Sequence, residues 1–186
     1  MYTKPPHCPS GDLYLKELFL IIKLTNGGEA IIDDDQSHLL MYKWQKIINS
    51  KTYYVTRYTK ERSIYLHRQI MGVIDRKTTQ VDHINGNGLD NRKCNLRCCT
   101  TSENHANTFH VYGTTSKYKG VHWDNQKKKW CAKVHKTVNG KKRKFYLGFY
   151  KDEKEAALAY DKGAKQIFGD FARTNFGAVN INQRNK

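Results

Sequence analysis

The stretch 81–104, VDHINGNGLDNRKCNLRCCTTSEN, gathers the side chains best suited to hydrolysis. Asp82 stands next to His83, and adjacent residues of a strand face opposite ways, so the two have separate jobs. A carboxylate is a hard oxygen ligand for Mg²⁺ or a similar cation such as Mn²⁺. An imidazole takes a proton from an attacking water. Asn104, at the start of a helix, supplies a second hard oxygen, and so few protein ligands leave room for phosphate oxygens and water. Asn95, at the return of the hairpin, can tie the long loop to the strand bearing His83 through side-chain to backbone hydrogen bonds.

The elements that must position these groups are a strand at 80–83, a loop, a second strand at 95–100 and a short helix capped by Thr101 or Ser102. Both Asn85-Gly86 and Asn87-Gly88 suit positive φ in the loop. Upstream, residues 1–12 form a loose leader, and residues 18–24 and 29–32 read as a hairpin around Asn26-Gly27-Gly28. Asp33, Asp34 and Asp35 read as a helix cap and solvated turn ahead of Leu39, Leu40 and Trp44, in preference to a metal site. A strand at 51–58 and a strand running into helix at 63–71 follow.

After a small, polar linker at 109–116 the pattern changes to strands at 118–123, 129–136 and 142–149, with turns at Asp124-Asn125 and Asn139-Gly140. Alternation puts Trp130, Ala132, Val134, Phe145, Leu147 and Phe149 on an apolar face. The opposite face carries Cys131, Lys133, His135, Lys144 and Tyr146. Asp152 with Glu155 opens a helix whose Ala156, Ala157, Tyr160, Ala164, Ile167 and Phe168 run to Gly169.

Charge points to a polyanionic partner. Of 186 residues, 33 are Lys or Arg and 17 are Asp or Glu, a formal net charge of +16. Residues 1–116 hold 15 basic and 11 acidic side chains, while residues 117–186 hold 18 and 6. The C-terminal part is therefore the expected electrostatic anchor. Five cysteines and no signal peptide argue for a reducing cytoplasm. The apolar run 18–22 is too short to span a bilayer, so no membrane is expected. Cys94, Cys98 and Cys99 lack paired Cys-x-x-Cys spacing, and zinc is not expected.

Residues 52–108 resemble the HNH nuclease family. The resemblance rests on Tyr65-Leu66-His67-Arg68, the run 82–87 (DHINGN), the run 89–92 (LDNR), Asn95-Leu96-Arg97 and Ser102-Glu103-Asn104. It implies a ββα-metal hairpin–helix fold with His83 as general base, Asp82 and Asn104 as metal ligands and Asn95 as a structural residue of the site. His67 either faces the site or packs beside the hairpin.

Residues 117–178 resemble the DNA-binding domain of plant ethylene-response factors, the Apetala class. The shared words are the run 116–121 (SKYKGV), the run 130–134 (WCAKV), the run 146–149 (YLGF), the run 155–161 (EAALAYD) and Thr174-Asn175-Phe176. That resemblance implies a three-stranded sheet in the major groove. The corresponding contact positions are Lys119, His122, Lys133, His135, Lys144 and Tyr146. Arg is mostly replaced by Lys or His at these positions, and Lys reads guanine less selectively.

The expectation is an α+β protein: residues 1–51 as part of the nuclease module, the ββα-metal core, the linker, the sheet-on-helix domain and a tail at 179–186. It is a phage or bacterial endonuclease of homing type that hydrolyses double-stranded DNA with a divalent cation, leaving 5′-phosphate and 3′-hydroxyl ends. No small-molecule cofactor is expected. The alternative is a DNA-binding regulator that keeps the HNH unit only as scaffold.

Overall fold

Turn and capping residues set most of the architecture. The computed structural model describes residues 19–49, 52–73, 79–109, 115–138 and 140–177. The expected leader at 1–12, the tail and most of the linker lie outside the described residues. Two compact units divide between Thr101 and Ser102. Both are built of small antiparallel sheets with helices, an α+β arrangement.

In the first unit β1 (Phe19–Lys23) and β2 (Glu29–Asp33) form the first hairpin. β3 (Gln45–Asn49), β4 (Thr52–Tyr58) and β5 (Ser63–Tyr65) make a three-stranded sheet in that order. β5 runs straight into α1 (Leu66–Ile70), as the sequence leads one to expect. Strand β3 has no clear alternation and is missed by sequence reasoning. A side chain anchors it: Asn26 Nδ2 donates to the Lys46 carbonyl at 2.7 Å, and Lys46 N donates to Asn26 Oδ1 at 2.9 Å. The core holds Ile22, Ile32, Leu39, Trp44, Val55 and Leu66. Trp44 is fully buried and its indole N–H donates to the Leu39 carbonyl at 2.9 Å.

The acidic turn differs from expectation. Asp33 precedes a 3₁₀ helix at Asp34–Met41 but makes no side-chain cap. Instead its Oδ2 accepts from Lys93 N at 2.7 Å, and Asp35 pairs with the Lys93 ammonium. The carboxylates thus fasten a distant loop. Two further strands, β6 (Gln80–His83) and β7 (Leu96–Cys99), form the last hairpin of this unit.

α2 (Thr101–Ala106) follows after one residue and crosses the division between the units. In the second unit β8 (Val121–Asp124), β9 (Lys129–Val138) and β10 (Lys141–Tyr150) lie in the order β10-β9-β8. α3 (Glu153–Phe168) packs on this sheet through Ala156, Ala157, Tyr160 and Ala164, all nearly or fully buried. Asp152 caps α3 by accepting from Glu155 N at 2.9 Å, and Gly169 ends it.

One face assignment needs correction. Tyr146 pairs with Lys133 while Gly148 pairs with Ala132, so Leu147 is an extra, bulged residue. Beyond the bulge the alternation reverses, and Phe149 stands opposite Cys131 on the basic face. The Lys127 ammonium lies 3.6 Å from the Phe149 ring centroid. Tyr150 replaces Phe149 on the helix side, opposite Trp130.

Gly120 sits at φ 76°, and a Cβ there would lie 2.0 Å from Cδ2 of the buried Tyr160 ring. Gly120→Ala should therefore destabilise the second unit by roughly 2–3 kcal/mol, combining backbone strain with overpacking. Chemical denaturation followed by Trp fluorescence measures it, and a loss under about 0.5 kcal/mol would show that the ring moves aside freely.

Candidate functional site

The β6–β7 hairpin brings Asp82 opposite Arg97 and His83 opposite Leu96. All four are buried. Arg97 Nε and Nη2 both donate to Asp82 Oδ2, at 2.9 and 2.8 Å. On the other face His83 Nε2 lies 3.3 Å from Asn91 Oδ1. Asn91 is fully buried and its Nδ2 donates to the Gly88 carbonyl at 3.2 Å, which turns its oxygen toward the ring. That network assigns the His83 proton to Nε2 and makes Nδ1 the basic nitrogen. Burial lowers the His83 pKa, against the opposing pull of Asn91, Asp82 and Asp90, so the ring is neutral near pH 7.

The loop from 84 to 95 is closed by side chains. Asn95 Oδ1 accepts from Asn85 N at 3.0 Å, and Asn95 Nδ2 donates to the Asp90 carbonyl at 2.7 Å and to Asn85 Oδ1 at 3.1 Å. Asp90 in turn accepts from Arg92 Nε and Nη2 at 2.8 and 2.9 Å and from Asn85 Nδ2 at 3.0 Å. Burial works against the charged Asp90, but Arg92 and Asn85 outweigh it and hold the carboxyl below its ordinary range. Of the two Asn-Gly pairs, only Gly86 takes positive φ. Gly88 is required for another reason: a Cβ there would stand 1.7 Å from the Tyr53 carbonyl oxygen. The loop also docks on β2, where Ile31 N donates to the Leu89 carbonyl and Asn91 N to the Ile31 carbonyl.

His67 is buried against His83, with ring centroids 5.0 Å apart. Tyr54 stands 5.4 Å from His67 and 5.9 Å from His83, and Tyr65 is 5.7 Å from His67. Burial, with Asp82 and Tyr65, raises the Tyr54 pKa and keeps its phenol protonated. Asn104 lies half-buried on α2, on the C-terminal side of the division, while Asp82 and His83 belong to the first unit. Among the described residues no group of three or more His, Cys, Asp or Glu converges as a ligand set. The Asp82 carboxylate is a hard oxygen donor of the kind that Mg²⁺ takes. Arg97 beside Asp82 already offsets the carboxylate charge. Cys94, Cys98, Cys99 and Cys131 stand outside any disulfide.

In the second unit register places His122, Lys133, His135, Lys144 and Tyr146 on one sheet face. Lys133 Nζ is 3.4 Å from His122 Nε2. Burial and the neighbouring Lys133 lower the pKa of both His122 and His135, with Lys144 and Lys142 adding to the effect on His135. Lys119 lies ahead of β8 and lines a pocket with Lys133, His135 and Lys144, but its ammonium donates to the Ala106 and Thr108 carbonyls at the end of α2 and just after it. Arg173 completes this clamp: its backbone N–H donates to the Ala106 carbonyl and its Nε to the Asn107 carbonyl, at 3.1 and 2.8 Å. Sequence reasoning missed Asn91, Arg97 and Arg173, because their roles depend on contacts that no local pattern shows.

Residues 65–106 match the HNH endonuclease family. Protein 3.8 of Escherichia phage T7 is 31% identical over 93 residues, which cover 50% of this chain and 73% of that protein. The chain belongs to the protein 3.8 family. The HNH match within it covers the segment that carries the β6–β7 hairpin, and HNH nucleases generally use a divalent metal. The ethylene-responsive transcription factor ERF070 of Arabidopsis thaliana is 36% identical over 79 residues, 39% of this chain and 47% of that factor. A second such factor, ERF069, is 41% identical over 54 residues, 28% of this chain and 34% of its own length. The chain thus spans half or less of these plant relatives. No solved structure matches it.

The Lys119 clamp is open to direct test. Lys119→Met removes both ammonium donors and should cost about 1–3 kcal/mol, the penalty for stranding buried carbonyls. Burial and Arg173 push the Lys119 pKa down to about 8 from an ordinary 10.5. Between these values the unfolded chain binds more protons at this residue than the folded one, so its contribution to stability rises with pH. Denaturant titrations at pH 7.5 and 9.5 should show that rise in the wild type and a smaller one in Lys119→Met; equal rises would show that Lys119 is not held in this way.

Proposed function

We propose that the protein is a site-directed DNA endonuclease of homing type, in which His83 deprotonates the water that attacks a phosphodiester. The observation that carries this reading is a buried, neutral imidazole whose Nε2 is held by Asn91, next in sequence to a carboxylate. Asn91 keeps Nδ1 basic and fixes the ring plane, and burial prevents the ring from being lost to protonation at neutral pH. Asp82 and Asn104 would hold a divalent cation, Mg²⁺ or Mn²⁺, which when bound polarises the phosphate and stabilises the leaving 3′ oxygen. Asn95 and Asp90 keep the loop closed, so that Asn91 stays against His83. The products are 5′-phosphate and 3′-hydroxyl ends. Asp82 is already paired with Arg97, which would weaken its hold on a cation in the absence of substrate phosphates.

The sheet of the second unit would hold duplex DNA through Lys133, Lys144, His122, His135 and Tyr146, supported by their shared face and by the plant DNA-binding relatives. Lys119, engaged with two carbonyls, lines one pocket with Lys133, His135 and Lys144.

His83→Ala should lower Mg²⁺-dependent plasmid cleavage by about 10³-fold or more while leaving duplex affinity within a factor of about three, since a general base acts on water and not on affinity. Asn91→Ala should cost roughly 10–100-fold by releasing the ring. Addition of EDTA should stop cleavage by the wild type. A purified wild type that binds duplex yet never cuts it with Mg²⁺ or Mn²⁺ would instead support the regulator.

A further inference from the structure

The basic pocket of the second unit, about 540 Å³ in volume, has a strand edge for one wall. β8 pairs with β9 only from Lys129 to Ala132, while β9 continues to Val138. Among the described residues no strand lies beside that last part of β9 on the β8 side. Lys133 N donates to the Gly120 carbonyl at 2.9 Å, and Thr137 N donates to Ser102 Oγ at 3.1 Å, so both turn away from β10. The direction of hydrogen bonding alternates along a strand, and the His135 N–H between them therefore faces the same open edge. Ser102, Gly120 and residues 133–137 all line the pocket, which places that edge inside it. A sheet edge whose N–H points into a concavity is suited to an anion.

The side chains around the edge carry one sign of charge. Lys142 and Lys144 line the pocket from β10 and His105 from α2, and none of the lining residues is acidic. Lys119 and Lys136 are already occupied with backbone carbonyls, Lys136 with that of Ile167 at 3.2 Å. Burial, then Lys133, Lys144, His122 and Lys142, lower the His135 pKa, so the lysine charges converge on the residue whose N–H lies at the open edge. An anion there relieves their mutual repulsion. A phosphate accepts from several directions at once, which matches an edge N–H with ammonium and imidazole donors around it. We infer that this pocket grips one phosphate of the DNA backbone through the His135 N–H, the Lys142 and Lys144 ammonium groups and the His105 ring. The inference rests on the reading of the sheet as the DNA-binding surface. It adds to that face the strand edge, Lys142 and His105, all within the second unit.

The test uses the full-length chain. Lys142→Ala and His105→Ala are compared with the wild type and with Lys154→Ala, an exposed lysine of α3 outside the pocket, by salt titration of duplex binding. Loss of a phosphate contact should shrink the slope of log K against log salt by nearly one unit in Lys142→Ala. His105→Ala should weaken binding about 10-fold at fixed salt, as expected for one hydrogen bond to a charged group. Both variants should melt as the wild type does, and Lys154→Ala should bind as it does. In the wild type the amide resonance of His135 should shift when duplex is added. A wild-type slope in Lys142→Ala, wild-type affinity in His105→Ala, an equal loss in Lys154→Ala or an unmoved His135 amide each overturns the pocket. If Lys144→Ala loses affinity while Lys142→Ala and His105→Ala do not, the pocket falls and the reading of the sheet stands. If the wild type binds no duplex, the reading of the sheet falls and takes the inference with it. Titration with inorganic phosphate separates the sources: an amide of His135 that shifts saturably with phosphate but not with duplex assigns the pocket to the free anion and overturns the inference.

Discussion

A buried carboxylate must be paired, and the pairing of Asp82 with Arg97 is the constraint around which the first unit is organised. The two residues face each other directly across β6 and β7, both with less than 10% of their surface exposed. A slip of one residue in register would send each charge to the opposite face and leave two unpaired ions inside, at a cost of several kcal/mol per ion. The ion pair therefore locks the hairpin in the single register that turns His83 toward Asn91, His67 and Tyr54. It also explains why Asp82 and His83 are tolerated side by side. One is neutralised by a guanidinium, the other by losing its proton, and neither charge is left stranded.

The loop that follows is held by the same logic of satisfying every polar group. Asn85, Asn95 and Asp90 exchange hydrogen bonds among themselves, Arg92 closes the ring, and Asp33 reaches across to a backbone N–H at Lys93. A short loop so rich in Asn and Asp looks like turn chemistry when read in isolation. Folded, it is a rigid bracket for one side chain, Asn91, that orients one imidazole. The glycine within it shows the difference. Gly88 is needed because the loop presses on the Tyr53 carbonyl, a contact 35 residues distant in sequence and not a matter of dihedral freedom.

Much of the second unit was legible in the sequence because its signals are local. Asp152 and Gly169 mark the ends of α3, and alternation along β9 separates Ala132 and Val134 from Lys133 and His135. The reading fails at Leu147, where a bulge adds one residue and moves Phe149 to the other face. Nothing in the local pattern marks it except Gly148, and alternation cannot count across an insertion. In the first unit, the hairpin that carries Asp82 and His83 could be placed from residue type and spacing alone. Arg97, Asn91 and the contact of His67 with His83 could not, because each is a partner chosen by the fold and not by a neighbour in the chain.

Lys119 has a part in the fold that its residue type does not announce. Counted with the other lysines it adds to a basic domain, yet its ammonium is spent on the carbonyls that α2 leaves open. A helix of six residues satisfies few of its own terminal carbonyls, and Lys119 and Arg173 supply the missing donors at Ala106, Asn107 and Thr108. Ala106 itself lies in the core formed by Val121, Ala132 and α3. The HNH match ends at Ala106, so the last helix of the nuclease segment is finished by residues of the unit that follows it. Where the family pattern stops and where the folded unit begins are therefore different places along this chain. A cut placed at the linker by sequence pattern would leave α2 without the donors that complete it, and with α2 would go the footing of Asn104.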